Sequence, residues 1–435
     1  MMMTMGKLLR CTPALLAGFL LAPKATAQEP ESSCVTCHAA FGDERLSGPV
    51  ESYPNDVHAA QGFDCVACHG GDATVAGMGA MDPAAGYLGV PEGEDVLSVC
   101  GRCHSSAQFM RRYDPSLRVD QVAEYRTSVH GQRLLQQGDD RVATCSSCHP
   151  AHAIKPPSDP NSSVHPLNVA ATCADCHANP EYMSPYPIPT DQHEKYLESI
   201  HWEKLSVARD LSAPTCNDCH GNHGAAPPGV SWVGNVCGQC HSVMAERFNQ
   251  SFHSRIFAML GNPGCATCHN NHEIKLADIE MLGVDEGSVC GRCHSAESRG
   301  GIVATRMRTL IDSLSLARER ADSILERAEN AGMEVSQAQF DLNGATTALV
   351  SARTAVHSFD VEGVREEVES GLEVAAQAWE RGQEAMDDLR FRRTGLAISV
   401  GIIVLLIIGL VLKIRQLEPA GAGPSRKSAP GGEAR

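Results

Sequence analysis

The octapeptide Cys145-Ser-Ser-Cys-His149-Pro-Ala-His152 contains the pattern that decides how this chain folds. Its first five residues have the form Cys-x-x-Cys-His, and this form occurs nine times between residues 34 and 294. Every cysteine except Cys11 belongs to one of these motifs. The cysteines are Cys34, Cys37, Cys65, Cys68, Cys100, Cys103, Cys145, Cys148, Cys173, Cys176, Cys216, Cys219, Cys237, Cys240, Cys265, Cys268, Cys290 and Cys293. The histidines that complete the motifs are His38, His69, His104, His149, His177, His220, His241, His269 and His294.

The spacing inside the motif suits covalent attachment of a haem. Two thiols that are two residues apart can reach the two vinyl groups of one porphyrin, and the next imidazole then becomes the proximal iron ligand. Three further kinds of cysteine site fit the pattern less well. A thioredoxin-like pair occurs once and needs no histidine, and zinc does not require a histidine after each pair. Structural disulfides would not keep one spacing nine times. The sequence therefore predicts nine covalent haem c groups.

The same segment contains nine further histidines, one for each predicted iron. Three of them follow a motif histidine at the third residue. Such a residue is poorly placed to reach around its own porphyrin, so we expect it to bind a neighbouring iron. Four others precede a motif by 7 to 15 residues, three of them in a Ser-x-His or Ser-x-x-His context. The count predicts bis-histidine coordination by His58, His130, His152, His165, His193, His201, His223, His253 and His272.

Two sets of residues are left outside this prediction. Met78, Met81 and Met110 are alternative axial ligands that would raise the potential of a haem, although methionines also fill gaps in cores. A tenth spare histidine, His357, lies in a later helical segment and is not among the predicted ligands.

The motifs form a repeat that consists of a leading histidine, a first motif, usually a histidine at the third residue after it, and a second motif. The four repeats begin at His58, His130, His201 and His253, and the motif at Cys34 precedes the first of them. The first repeat is atypical, because Gly-Gly-Asp follows His69. We expect an irregular haem there or at the lone first motif.

The composition predicts a mainly α fold with little regular structure in the haem region, residues 28–298. The number of residues available for each haem is too small to form a conventional core. The cofactors themselves are therefore expected to pack together with short helices and loops. After Ser298 the apolar spacing becomes helical, which predicts a helical hairpin or stalk over 299–393. Its second helix is predicted over 335–357. The third is predicted over 361–393, with a possible continuation into an apolar segment.

Both ends of the chain contain membrane signals. Residues 1–27 combine basic residues, a short apolar run and the cleavage pattern Ala25-Thr26-Ala27, which predicts a signal peptide. The uncharged residues 394–412 would form about 28 Å of helix, enough to cross a bilayer. A buried core helix is the alternative, but basic residues lie on both sides of the run. These features predict an inner-membrane anchor, a periplasmic haem domain and a disordered cytoplasmic tail, 413–435.

The repeated order of Ser-x-His, Cys-x-x-Cys-His-x-x-His and Cys-x-x-Cys-His, clearest over residues 126–177 and 199–241, resembles the doubled-CxxCH and tetrahaem-type multihaem cytochrome c families of bacterial respiration. The resemblance implies covalent haem c, low-potential bis-histidine iron and electron transfer. Residues 352–357 are more weakly similar to the helical tails of multihaem nitrite and hydroxylamine enzymes. The chain has no Cys-x-x-Cys-Lys motif of the kind found in nitrite reductases.

These observations favour an electron carrier with no catalytic residue, anchored in the membrane. It would connect a quinol-linked donor with periplasmic or outer-membrane redox proteins. The formal net charge of −16 argues against nucleic acid as a partner and favours basic redox partners. The alternative is a reductase of nitrite, hydroxylamine or a sulfur oxyanion with one open haem. A third hypothesis is a subunit of a larger quinone-linked complex, or an oligomer, that docks through the helical segment.

Overall fold

The computed structural model describes residues 32–228 and 233–417, with the side chains of 233 and 234 excepted. The predicted signal peptide and residues 418–435 of the predicted tail lie outside the described residues. The regular structure in the described ranges is helical, and these ranges contain no β-strand. The prediction of a mainly α fold is therefore confirmed.

The haem region consists of short helices joined by loops, and the longest of them has 12 residues. Its α-helices within the described residues are α1 (Ser33–His38), α2 (Glu44–Ser52), α3 (Val57–Ala60), α4 (Cys65–His69), α5 (Glu94–His104), α6 (Ala107–Met110), α7 (Gln121–Thr127), α8 (Val129–Gln137), α9 (Cys145–Cys148), α10 (Pro166–His177), α11 (Pro180–Met183), α12 (Gln192–Leu197), α13 (Ile200–Ser206), α14 (Cys216–His220), α15 (Val233–Gly238), α16 (Ser242–Gln250), α17 (Phe252–Leu260) and α18 (Ala266–His269). Short 3-10 helices cover Tyr53–Asn55, Gly77–Met81, Pro83–Ala85, Ile279–Met281 and Cys290–Arg292.

Several Cys-x-x-Cys-His motifs fold into a single helical turn, and the residue before the first cysteine caps it. Asp64 accepts a hydrogen bond from the Ala67 backbone N–H at the start of α4. At the start of α14, the Asp218 side chain accepts one from the Thr215 backbone N–H at 2.7 Å. Residues three apart lie on the same side of a helix. The turn therefore brings the two thiols of one motif to one face.

The segment after residue 298 forms three long helices, α19 (Arg299–Asn330), α20 (Ser336–Ala355) and α21 (Val361–Leu417). They pack around a core with helical spacing on each helix. Helix α20 begins one residue later than predicted. It ends two residues earlier than predicted, because Val356–Ser358 is a 3-10 helix. Core residues with relative exposure of 2% or less include Met307, Ile311, Leu314, Leu325, Ala345, Ala352, Val364 and Val368.

The close packing of this bundle depends on glycines in α21. A Cβ atom at Gly371 would lie 2.8 Å from the Ala348 Cβ and from the δ-carbons of Leu314. Contacts that short do not occur between real side chains, so the backbone of α21 approaches its neighbours only because Gly371 has no side chain.

Helix α21 has 57 residues and continues without a break through the predicted membrane segment. It includes residues 413–417, the beginning of the predicted tail. Among the described residues it is the one helix long and apolar enough to cross a membrane, and its apolar part is not buried. This feature is consistent with membrane anchoring.

The described chain divides into two compact units. The first comprises the residues up to Thr172 together with His223–Ala225, and the second comprises Cys173–Asn222 together with the residues from Ala226 onwards. The three long helices belong to the second unit.

Candidate haem-binding sites

Seven of the nine motif histidines face a second imidazole across a nearly constant gap. Two imidazoles on opposite sides of one iron, each with a metal–nitrogen bond of about 2 Å, have ring centres about 6 Å apart. The observed separations run from 6.0 to 6.4 Å. The residues present therefore fit a bis-histidine haem. The pairs are His58–His104, His69–His152, His149–His223, His201–His241, His220–His272, His253–His294 and His269–His357.

In three repeats, the leading histidine faces the histidine of the second motif in the same repeat. His58 faces His104 at 6.0 Å, and His201 faces His241 at 6.4 Å. The fourth repeat follows the same rule with His253 and His294, at 6.0 Å.

The histidine that follows a first motif faces the first-motif histidine of the preceding repeat. His152 faces His69, with ring planes 12° apart, and His272 faces His220, with ring planes 9° apart. His223 faces His149 at 6.3 Å. These three residues thus lie opposite the first motif of the preceding repeat, and each pair joins two repeats.

His357 is a candidate ligand that was not predicted from the sequence. It lies in the 3-10 helix Val356–Ser358 and faces His269 at 6.1 Å, with ring planes 20° apart. A sequence signal for it existed. His357-Ser-Phe359 has the same form as His152-Ala-Ile154 and His272-Glu-Ile274, a histidine followed at the second residue by a large apolar side chain. The match is difficult to recognise in the sequence because His357 lies far from the Cys-x-x-Cys-His motifs.

A buried cap residue positions each leading histidine two residues later. Ser128 and Ser199 are almost completely buried N-caps of α8 and α13. The Ser199 hydroxyl donates to the Tyr196 carbonyl at 2.6 Å and accepts from the Trp202 backbone N–H at 3.2 Å. Ser251 has the same role in α17. In the first repeat the cap is Asp56, which is 2% exposed.

In three repeats, a tyrosine three positions before the cap ties the leading segment to the following motif. The hydroxyls of Tyr53, Tyr125 and Tyr196 donate to carbonyl oxygens at 2.8, 2.7 and 3.0 Å. The acceptors are Phe63, Ala143 and Pro214, each two residues before the first cysteine of a motif.

Backbone hydrogen bonds fasten adjacent repeats together in one register. The backbone N–H of the residue before a leading histidine donates to a carbonyl of the following repeat. This carbonyl lies two residues after the histidine that follows the first motif of that repeat. Val57 donates to Ile154 at 2.9 Å, and Ile200 donates to Ile274 at 2.8 Å. The corresponding bond from Val129 to Ala225 is 3.0 Å long.

Within each compact unit, the cysteines bring consecutive motifs together. The first cysteines of consecutive motifs lie close enough for one thiol to shift the pKa of the other in the pairs Cys34–Cys65, Cys100–Cys145, Cys173–Cys216 and Cys237–Cys265. The remaining consecutive motifs within each unit come together through their second cysteines. Cys68 interacts electrostatically with Cys103, Cys219 with Cys240, and Cys268 with Cys290, the first cysteine of the last motif. Sequence neighbours are therefore also spatial neighbours.

Burial lowers the pKa of several facing imidazoles and so favours their neutral form. For His269, burial and then the nearby His357 lower the pKa, and for His104 burial and then His58 do so. Burial is also the main reason for the lowered pKa of His357. Neutral imidazole is the form that binds metal.

Three predicted histidines face no imidazole within the described part of the chain. His165 is buried, and its Nδ1 accepts a hydrogen bond from the Leu167 backbone N–H. His193 lies at the start of α12. His38 has only the edge of Phe41 beside its ring, at 6.3 Å. In the first repeat, His69 and His104 both face imidazoles, so an irregular haem there or at the lone first motif stays a prediction.

The remaining candidates stay predictions from the sequence. His130 and His177 belong to different compact units. Met110 is buried and Met78 is 78% exposed. Met81 ends the 3-10 helix Gly77–Met81.

Comparisons with known proteins agree with this chemistry. The family model for cytochrome c3 matches residues 210–295. The C-type polyheme cytochrome OmcB of Geobacter sulfurreducens, from strain DL-1/KN400 and from strain ATCC 51573/DSM 12127/PCA, is 22% identical over 243 residues. The alignment covers 51% of this chain and 26% of the relative, so the chain spans about a quarter of the length of these relatives. No solved structure matches the chain significantly.

Proposed function

Since the chain is a multihaem c-type cytochrome, we propose that it relays electrons along a row of nine haems, most of them held by two histidines. Haem c at these motifs would supply reversible one-electron chemistry. The chain's own part is to fix the spacing of the groups and to hold both axial positions.

The facing imidazoles are the observation that carries this proposal. Seven motif histidines have a second imidazole at the separation that one iron requires. An iron with two imidazoles has no vacant position for a substrate. Such positions suit electron transfer and not catalysis.

The order of the row is proposed to follow the sequence. Within each unit, the cysteines of consecutive motifs lie close together, so each porphyrin would have its nearest neighbours in the adjacent motifs of that unit. Within each unit, electrons would therefore pass from motif to motif in chain order.

We further propose that the signal peptide directs the haem domain to the periplasm and that residues 394–412 anchor it in the inner membrane. The donor would be a quinol-linked membrane protein, and the acceptors would be periplasmic or outer-membrane redox proteins. The net charge of −16 favours basic surfaces on these partners. Purification in mild detergent tests whether the chain is a subunit of a larger complex: a co-purifying partner in fixed ratio supports this, and a lone monomer opposes it.

The test of the relay uses the full-length holoprotein. Intact mass gives the number of covalent haems, and electron paramagnetic resonance of the oxidised protein gives their spin states. We expect nine haems per chain and predominantly low-spin signals. A mainly high-spin spectrum would show that the facing imidazoles do not bind iron, and it would overturn the proposal.

A second candidate function rests on the first motif. His38 faces no imidazole among the described residues, and Phe41, which is 48% exposed, borders its ring. An open iron at this motif would allow reduction of nitrite, hydroxylamine or a sulfur oxyanion. A high-spin component that changes on addition of nitrite and disappears in Cys34→Ser/Cys37→Ser supports this candidate. An oxidised spectrum without a high-spin component opposes it.

A further inference from the structure

The stalk, formed by α19, α20 and α21, contains an imidazole opposite the first motif of the last repeat, where the described part of the haem region itself supplies none. The repeat rule gives each first-motif histidine a partner from the following repeat. His269 belongs to the fourth repeat, and residues 295–435 contain no further Cys-x-x-Cys-His motif whose repeat could supply one. His357 lies at that position.

We infer that His357, at the turn between α20 and α21, is the sixth ligand of the iron bound at Cys265, Cys268 and His269, and that the stalk acts as a substitute for a fifth repeat. The inference rests on the proposed haem loading. It extends that loading to a residue outside the haem region.

The orientation of His357 suits this role. Its Nδ1 lies 3.1 Å from the Thr354 carbonyl oxygen. A carbonyl only accepts, so Nδ1 carries the proton and Nε2 keeps its lone pair for a metal. The motif histidines His69 and His220 are held in the same way by the carbonyls of Gly89 and Ala226. Such outer hydrogen bonds fix the tautomer and ring direction of ligand histidines.

The residue two positions after His357 is also comparable with its counterparts in the repeats. In earlier repeats that residue is Ile154, Ala225 or Ile274, and its carbonyl binds the leading segment of the preceding repeat. In the stalk it is Phe359, whose ring lies 3.8 Å from the leading histidine His253. Phe359 has a positive φ of 56°, uncommon for an aromatic residue. The turn thus directs His357 and Phe359 to the two positions that a repeat would occupy.

Two other contacts hold the stalk against the last motif, so His357 does not depend on a mobile segment. Arg308 of α19 donates to the Leu282 carbonyl at 3.3 Å and pairs with Asp285 at 3.0 Å. The backbone of α19 at Gly300 packs directly on the His294 ring, where an added Cβ would lie 2.3 Å from Nδ1.

The test compares three full-length holoproteins in detergent: wild type, His357→Ala and the control Val350→Ala, an exposed position on α20. In His357→Ala we expect a new high-spin signal of about one haem per chain beyond any present in the wild type. Added imidazole should convert it back to low spin, which a merely structural role would not produce. An unchanged spin distribution in His357→Ala would overturn the inference.

A second variant covers the case in which His357→Ala does not accumulate. In His357→Met we expect one haem to remain low-spin while its midpoint potential rises, because thioether ligation raises haem potentials. A redox titration that superimposes on the wild type would overturn the inference. The readout is a difference from wild type, so it stays interpretable even if other motifs prove high-spin and the relay proposal fails.

Discussion

The Asp56 carboxylate holds the imidazole of His58. Its Oδ1 accepts hydrogen bonds from the His58 backbone N–H at 2.8 Å and from Nδ1 at 2.9 Å, and its Oδ2 accepts one from the Ile154 backbone N–H at 2.7 Å. Ile154 follows His152, which faces His69. One buried carboxylate thus positions candidate ligands for two different irons.

This arrangement predicts the effect of Asp56→Asn on redox potential. A carboxylate that accepts from Nδ1 makes the imidazole a stronger donor and stabilises oxidised iron. In the variant we expect one midpoint potential, assigned to the motif of His104, to rise. Potentiometric titration measures it, and Asp114→Asn, which alters an exposed turn, is the control. A lowered or unchanged potential would contradict the assignment.

The buried caps predict a stability effect at Ser199. Replacement by alanine removes both the cap of α13 and the hydrogen bond to the Tyr196 carbonyl. We expect unfolding to become easier by about 1 kcal/mol. Denaturant unfolding followed by Soret absorption measures the change. Ser212→Ala, which removes a hydroxyl from an exposed turn, should cost less, and equal losses in the two variants would count against the special role of the cap.

The glycine contacts in the stalk predict that Gly371→Ala is destabilising. The new methyl group would overlap Ala348 and Leu314, and overpacking typically costs about 1–3 kcal/mol. The better helix propensity of alanine offsets up to about 1 kcal/mol of this. Gly363→Ala adds the same methyl group on α21 at ordinary contact distance, 3.8 Å from Asp360 Oδ2. Thermal unfolding by circular dichroism should show a lower melting temperature for Gly371→Ala alone.

The motif chemistry predicts the haem count of a double variant. Cys237→Ser/Cys240→Ser removes both thioether positions of one motif, so intact mass should fall by one haem. Because Cys237 contacts Cys265 and Cys240 lies near Cys219, the change also interrupts the row. Cys11→Ser lies in the predicted signal peptide and should leave the count unaltered. A variant that still carries the wild-type number of haems would disprove the attachment at this motif.

The local part of the site can be proposed from the sequence, because haem attachment depends on residues within one turn. The sequence also indicates His152, His223 and His272 as candidate ligands, since their distance from a motif is fixed. It does not predict which histidines face each other, because His58 and His104 meet only through the fold of the 45 residues between them. The sequence does not single out His357 as the neighbour of His269 for the same reason, because the two residues lie far apart in the chain.

The length of α21 sets how this protein can exchange electrons. The helix begins beside the turn of His357, and residues 361–393 separate that turn from the apolar segment. A straight helix of that size extends for about 50 Å. If the apolar segment lies in a bilayer, the last haem motif is held well out in the aqueous phase. Electron tunnelling decays exponentially with distance, so quinol dissolved in the lipid would then be too far from the last haem motif for direct transfer. A donor to this motif would have to extend from the membrane or diffuse between the membrane and the motif, and α21 would act as a spacer that restricts which partners can reach it.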